Sequence, residues 1–241
     1  MAENLGSYTE VDAPGRLSAS GTVLTVTAAD RDEDLRLYSD KGVDHFGATF
    51  DHDVDFEVTS SAGAAMNCVV WAVSAVQDDT KSWLDDTAVA VLVRSRTGNN
   101  SIQIVDAEDG SNQSYMHGAT IVDVPFYLSV ERTGETTIQC RIYSDAIRST
   151  LLDTITNAIT SGNKYQYVYA FNGQNISVGG SDLDITVENL DLQEGVVGTN
   201  MQLNWLDSWR TIDAMQINIS DSWKVVAGAQ INIGDSWKTV F

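Results

Sequence analysis

Proline and cysteine are nearly missing from this chain of 241 residues, which has two of each. Two cysteines allow one disulfide at most. Cys68 and Cys140 lie in strand-like runs beside Val70 and Ile142, where a buried free thiol is the usual state, and their spacing leaves a bridge between them open. Bases are scarce as well: 14 Lys and Arg stand against 34 Asp and Glu, a formal net charge of −20. That balance excludes a nucleic-acid interface, which needs Lys and Arg facing phosphates. It fits a solvated acidic surface, a salty environment or divalent cations. No apolar run is long enough to cross a bilayer, so membrane insertion is not expected. The amino end, MAENLGSYTEVD, has neither a basic start nor an apolar stretch, so no Sec-type signal peptide is expected.

Helix signals are also few. Ile147, Leu151, Ile155 and Ala158 fall at helical spacing behind Ser144-Asp145, a cap-like pair. Thr150, Thr154, Thr156 and Thr160 argue for a strand in the same place, and the strand is preferred.

What the chain does have is a repeat. At a period of 14, Met201–Ala214 reads MQLNWLDSWRTIDA, Met215–Gly228 reads MQINISDSWKVVAG, and Ala229–Phe241 reads AQINIGDSWKTVF. Such a period marks modular assembly. Met201, Leu203 and Trp205 alternate with Gln202 and Asn204, the period of a strand with one apolar and one amide face. Asp and Ser supply turn chemistry, and Trp followed by a base opens a second short strand. The expectation is a meander of about six strands. Its apolar face has nothing of its own to pack on, so sister chains are expected to cover it, with a three-sided prism as the closed form. Trp209, Trp223 and Trp237 are then expected to form a ladder of oligomerisation contacts, with Arg210, Lys224 and Lys238 pointing outward.

Upstream, strand-like runs such as Phe46–Val58, Ala88–Arg94 and Thr136–Tyr143 alternate with polar turn clusters such as Asp109-Gly110-Ser111-Asn112. Many strands without helical crossovers predict an all-β antiparallel sandwich. The run Gly195–Asn200 separates it from the tail, giving a sandwich over 1–194, a linker over 195–200 and the repeats over 201–241. The stretch PFYLSVERTGETTIQCRIYSDAIRSTLLD at Pro125–Asp153, with YQYVYAFN at Tyr165–Asn172 and LDITVENLDL at Leu183–Leu192, resembles the back half of a concanavalin A-like (laminin G-like) jelly roll. The DSWK tail resembles the carboxyl ends of tailed-phage structural proteins. The first resemblance implies a jelly-roll sandwich, a fold that hosts lectins, glycosidases, adhesion domains and virion parts.

Several residues are candidates for chemistry. In FDHDVDFEV, Phe50, His52, Val54, Phe56 and Val58 face one way, while Asp51, Asp53, Asp55 and Glu57 face the other. Asp53 to Glu57 resembles the Glu-x-Asp-x-Glu strand of glycosidases sharing the fold, which implies Asp53 as nucleophile and Glu57 as general acid. A flat strand sets residues four apart at roughly 13 Å, beyond a retaining pair, so a hydrated acidic face is the reading preferred over catalysis. Asp30, Asp32 and Asp34 offer oxygens to Ca2+, as loops of related lectin-like domains do, or simply form a charged loop. Trp83 and Tyr115 are the loop aromatics best suited to stack on a sugar ring, or are packing residues. His52 and Trp71 read as core.

Together these features predict a non-enzymatic virion structural protein, a component of a fibre, tail or capsid decoration. It would be homo-oligomeric, with a trimer favoured, would contact other virion proteins, and would have a lectin-like domain able to take host glycans. It would reach the outside of the cell by release in a particle on lysis. The alternatives are a jelly-roll glycoside hydrolase using Asp53 and Glu57, and a cellular carbohydrate-binding module.

Overall fold

A computed structural model of the chain describes residues 1–30, 33–62, 65–77, 87–96, 99–117, 121–173 and 182–194, and the backbone of six strands in the repeat region. The chain divides into two compact units, Met1–Gln193 and Glu194–Phe241.

The first unit has fourteen strands: β1 (Thr9–Asp12), β2 (Leu17–Ser20), β3 (Val23–Ala29), β4 (Leu35–Asp40), β5 (Thr49–Ala62), β6 (Ala65–Ser74), β7 (Ala88–Arg96), β8 (Asn99–Asp106), β9 (Asn112–His117), β10 (Pro125–Thr133), β11 (Thr137–Tyr143), β12 (Leu151–Ala158), β13 (Tyr167–Asn172) and β14 (Asp182–Asp191). They form two seven-stranded antiparallel sheets, in the orders β1-β4-β13-β6-β7-β8-β9 and β12-β11-β10-β5-β14-β3-β2. The fold is an all-β antiparallel jelly-roll sandwich, as the strand runs predicted. Among the described residues, no helix is long and apolar enough to cross a membrane.

Period-two sequence puts the core between the sheets. Val54, Phe56 and Val58 of β5, Phe126, Leu128 and Val130 of β10, and Ile138, Cys140 and Ile142 of β11 are all buried in one cluster. Phe56 stacks on Phe126 with ring centroids 5.4 Å apart. Residues 151–158 form a strand, as preferred. Asp145 does act as a cap, but of a turn: its carboxylate accepts the backbone N–H groups of Ser149 (3.1 Å) and Thr150 (2.7 Å). Cys68 and Cys140 are both free and buried, so the sequence alternative of a bridge is not realised. Burial pushes both thiols up to about 12.

Two polar core residues tie the sandwich together. His52 is fully buried, stacks on Phe50 with centroids 4.6 Å apart, and accepts the Trp71 indole N–H at 3.2 Å. Burial holds its imidazole down to about 3, so it is neutral, and Trp71 is core as predicted. Arg132, at the end of β10, is buried among backbone carbonyls of three connections.

The repeat unit corrects the single-meander expectation. Its strands β15 (Met201–Trp205), β16 (Ser208–Ile212), β17 (Gln216–Ile219), β18 (Ser222–Val225), β19 (Gln230–Ile233) and β20 (Ser236–Thr239) pair only as three separate two-stranded sheets, one per repeat. Two residues separate the strands within each repeat, the length of a tight hairpin, and three or four separate successive repeats.

Candidate functional site

The outer face of the second sheet holds the acidic row. Asp51, Asp53, Asp55 and Glu57 alternate along β5 away from the core and lie opposite Glu131, Ser129, Tyr127 and Pro125 of β10. The sequence pattern shows this row but not what neutralises it. Arg148, at φ 51° in the β11–β12 turn, reaches over β10: its Nη2 is 2.7 Å from Asp55 and its Nε 3.3 Å from Asp53. It also donates to the Leu128 carbonyl at 3.2 Å. Asn189 donates to Asp55 at 3.0 Å and Gln193 to Asp53 at 3.1 Å. Burial pushes the carboxyls of Asp55 and Asp51 up, while Asn189 and Arg148 pull Asp55 back and the neighbouring Asp53 raises Asp51 further. Asp53 is thus held in an ion pair, and Glu57 lies four residues along the same strand. Their backbone positions lie about 13 Å apart along an extended strand.

The outer face of the first sheet has a different character. Cross-strand pairing aligns Tyr38, Tyr169, Ala72 and Ala90 in one row, with Asp40, Tyr167, Ser74 and Ala88 beside it. Tyr38 lies 5.5 Å from Tyr169 and 6.1 Å from Tyr167, centroid to centroid. These tyrosines and alanines form a second apolar cluster, with Val69 and Ala107, distinct from the inter-sheet core. Gln166 rims it, donating to Asp40 at 2.9 Å and to the Tyr167 hydroxyl at 3.2 Å. In the next row Asn172 lies between Arg36 and Val69. Asn172 is fully buried, and neither of its amide atoms has a hydrogen-bond partner among the described residues. Two adjacent register shifts create this face, at Tyr169/Phe171 in β13 and Val69/Trp71 in β6. Each sends two consecutive residues, Ala170-Phe171 and Val70-Trp71, into the core and reverses the parity beyond. Sequence reasoning missed this strip because strict alternation cannot anticipate a bulge; the repeated tyrosines of YQYVYAFN were its one signal.

The other candidates fall as follows. Tyr115 of β9 stands opposite the core residue Ile102 and packs, partly buried, against the inter-sheet core, as a packing residue does. Trp83 and Asp32 lie outside the described residues. Glu33 pairs with Arg16 at 3.0 Å and Asp34 with Arg36 at 2.8 Å, while Glu33 also accepts the Asp30 backbone N–H at 2.8 Å. Among the described residues no group of three or more His, Cys, Asp or Glu side chains is placed to hold a metal.

In the tail, the register repeats faithfully. Asn204 stands opposite Trp209, Asn218 opposite Trp223, and Asn232 opposite Trp237. Leu203 stands opposite Arg210, Ile217 opposite Lys224, and Ile231 opposite Lys238. Directly opposed positions share a face. Each tryptophan position therefore belongs to the amide face and each base to the opposite, aliphatic face.

The sequence matches no family model and no curated protein. Solved structures do share the fold. A Saccharomyces cerevisiae protein of unknown function is 12% identical, with a TM-score of 0.54, over 80% of this chain and all of its own. The exoplasmic/lumenal domain of VIP36, bound to Ca2+ and Man3GlcNAc, is 10% identical over 81% of this chain and 87% of its own, at a TM-score of 0.48. Tailspike protein 2 of the Escherichia coli O157:H7 bacteriophage CAB120 is 11% identical over 74% of this chain but 24% of its own, at 0.41. At such identities the likeness concerns fold alone, and that fold is the jelly-roll sandwich.

Proposed function

We propose that this chain is a non-enzymatic virion structural protein, of a fibre, tail or capsid decoration, in which a repeat tail assembles several copies of a glycan-binding sandwich. One observation carries the reading: each repeat forms its own two-stranded hairpin, in the same register three times. A hairpin with strands of four or five residues is marginal alone in water, and its aliphatic face needs cover. Copies of the same tail supply that cover symmetrically, with a trimer as the favoured form. Linked copies then raise the avidity of weak sugar contacts. On the sandwich, Tyr167 and Gln166, both partly exposed beside the buried Tyr38 and Tyr169, support glycan contact, since aromatic faces stack on sugar rings while amides bond hydroxyls.

The test is the solution mass by light scattering, with and without residues 201–241. The sandwich has its own continuous core and should remain folded without the tail. The expected result is an oligomer that becomes a monomer; an unchanged mass refutes the assembly role. The engagement of Asp53 by Arg148 supports the non-enzymatic half. No hydrolysis of a soluble β-glucan is expected, and activity lost on replacing Asp53 and Glu57 would overturn that half.

A further inference from the structure

We infer that the tail is itself a trivalent binding element: its three tryptophan positions form repeated sites for a neutral polysaccharide, on the face opposite the one that assembles the chains. This goes beyond the reading above, which places glycan contact on the sandwich.

The inference rests on how the register sorts the repeat. A two-stranded hairpin has two faces. One takes the aliphatic positions Leu203, Ile217 and Ile231, each opposite a base whose long stem can lie along apolar surface. The other takes Trp209, Trp223 and Trp237, each directly opposite an asparagine, with a glutamine position two residues before that asparagine. Burial of the aliphatic face is enough to drive assembly. Beside the indole, the described strand positions of this face hold the glutamine, the asparagine and Thr211, Val225 or Thr239, and in a chain with a net charge of −20 none of them is charged. An uncharged face excludes phosphate, nucleic acid or an ionic peptide as its occupant. An indole beside two primary amides is the chemistry that recognises a sugar, with a flat face for the ring C–H groups and paired donors and acceptors for vicinal hydroxyls. Threefold repetition at a constant 14-residue period argues for a ligand that is also a repeat, as a polysaccharide is.

The experiment uses the full chain and a panel of neutral polysaccharides (β-glucan, mannan, galactan and chitin), with solution mass measured in parallel. The triple variant Trp209→Ala/Trp223→Ala/Trp237→Ala should keep its oligomeric mass and its strand signature by circular dichroism, yet bind the panel about 100-fold more weakly. Trp237→Ala alone should give a partial loss with no change in mass, which keeps the test valid if the triple variant does not fold. Ile217→Asp/Ile231→Asp, on the other face, should break the oligomer instead. Dissociation of the single tryptophan variant would make the tryptophans assembly contacts and overturn the inference. Wild-type protein that binds nothing on the panel, or a triple variant that binds as well as wild type, would overturn it as well. A wild-type monomer would instead sink the assembly role, and its tryptophan-dependent binding would still be measured separately.

Discussion

Replacing Arg132 by Met tests whether one buried guanidinium holds three connections of the sandwich together. Arg132 is 1% exposed. It donates to the backbone carbonyls of Gly47 (3.0 Å), Asn163 (2.6 Å), Glu135 (3.1 Å) and Gly134 (3.2 Å), and lies 5.4 Å from the Tyr165 ring centroid. Methionine keeps the apolar stem but leaves all four carbonyls without that donor, and each unsatisfied buried acceptor costs about 1–3 kcal/mol. Relief from desolvating the guanidinium offsets part of this, and breaking a buried charged network from one side typically costs about 3–5 kcal/mol. For a domain of this size that corresponds to a fall in melting temperature of about 6–20 °C. Urea unfolding of the sandwich, followed by the fluorescence of buried Trp71, reads the loss directly. Lysine retains the charge but not the planar fork, so Arg132→Lys should fall between Met and wild type. A Met variant within about 1 kcal/mol of wild type would refute the argument, because the four carbonyls would then be finding water or one another.

His52 predicts a pH dependence. Its folded value of about 3 lies below the ordinary 6.5, so the unfolded chain binds the proton first as pH falls; its contribution is complete above 6.5 and is lost as pH drops toward 3. Wild type should therefore lose about 1.4 kcal/mol per pH unit relative to His52→Gln between pH 6 and 4, and parallel curves in urea titrations would contradict this. Native Cys68 and Cys140 should resist a thiol-selective disulfide reagent at pH 8 and react only on unfolding, since both are buried with thiols held near 12. Arg148→Met should destabilise the sandwich by about 2–4 kcal/mol, because Asp55 is 5% exposed and keeps only Asn189 of its two partners; adding Asp55→Asn should restore part of the loss, and strict additivity would show that the pair is not coupled.

Much of the fold was legible because its core strands keep strict period two. FDHDVDFEV shows both of its faces, and TIQCRIY alternates without a break. The six tail strands were legible for the same reason, but their pairing was not. Alternation identifies a strand without saying whether its neighbour is the next strand or the one after. Arg148 was illegible in another way. Its partner Asp55 is 93 residues away, and nothing local in DAIRST marks an arginine that crosses a strand to reach a carboxylate.

In the tyrosine strip and in the tail hairpins alike, parity decides which residues share a face. In β13 a single extra residue turns YVYAFN from an unbroken apolar run into a strand that sends Val168, Ala170 and Phe171 inward while leaving Tyr167, Tyr169 and Asn172 on the outer face. In the tail, the two-residue connection sets Trp209 against Asn204 instead of Leu203; one residue more or less would have moved every indole to the aliphatic face. Both outcomes are decided by parity, a property of connections and bulges more than of the residues that display the chemistry. Lengthening the Trp205–Ser208 connection by one residue, with a two-residue turn kept, should therefore move Trp209 to the aliphatic face and Arg210 to the amide face. Assembly and polysaccharide binding would then both weaken, whereas the Trp209→Ala change touches binding alone.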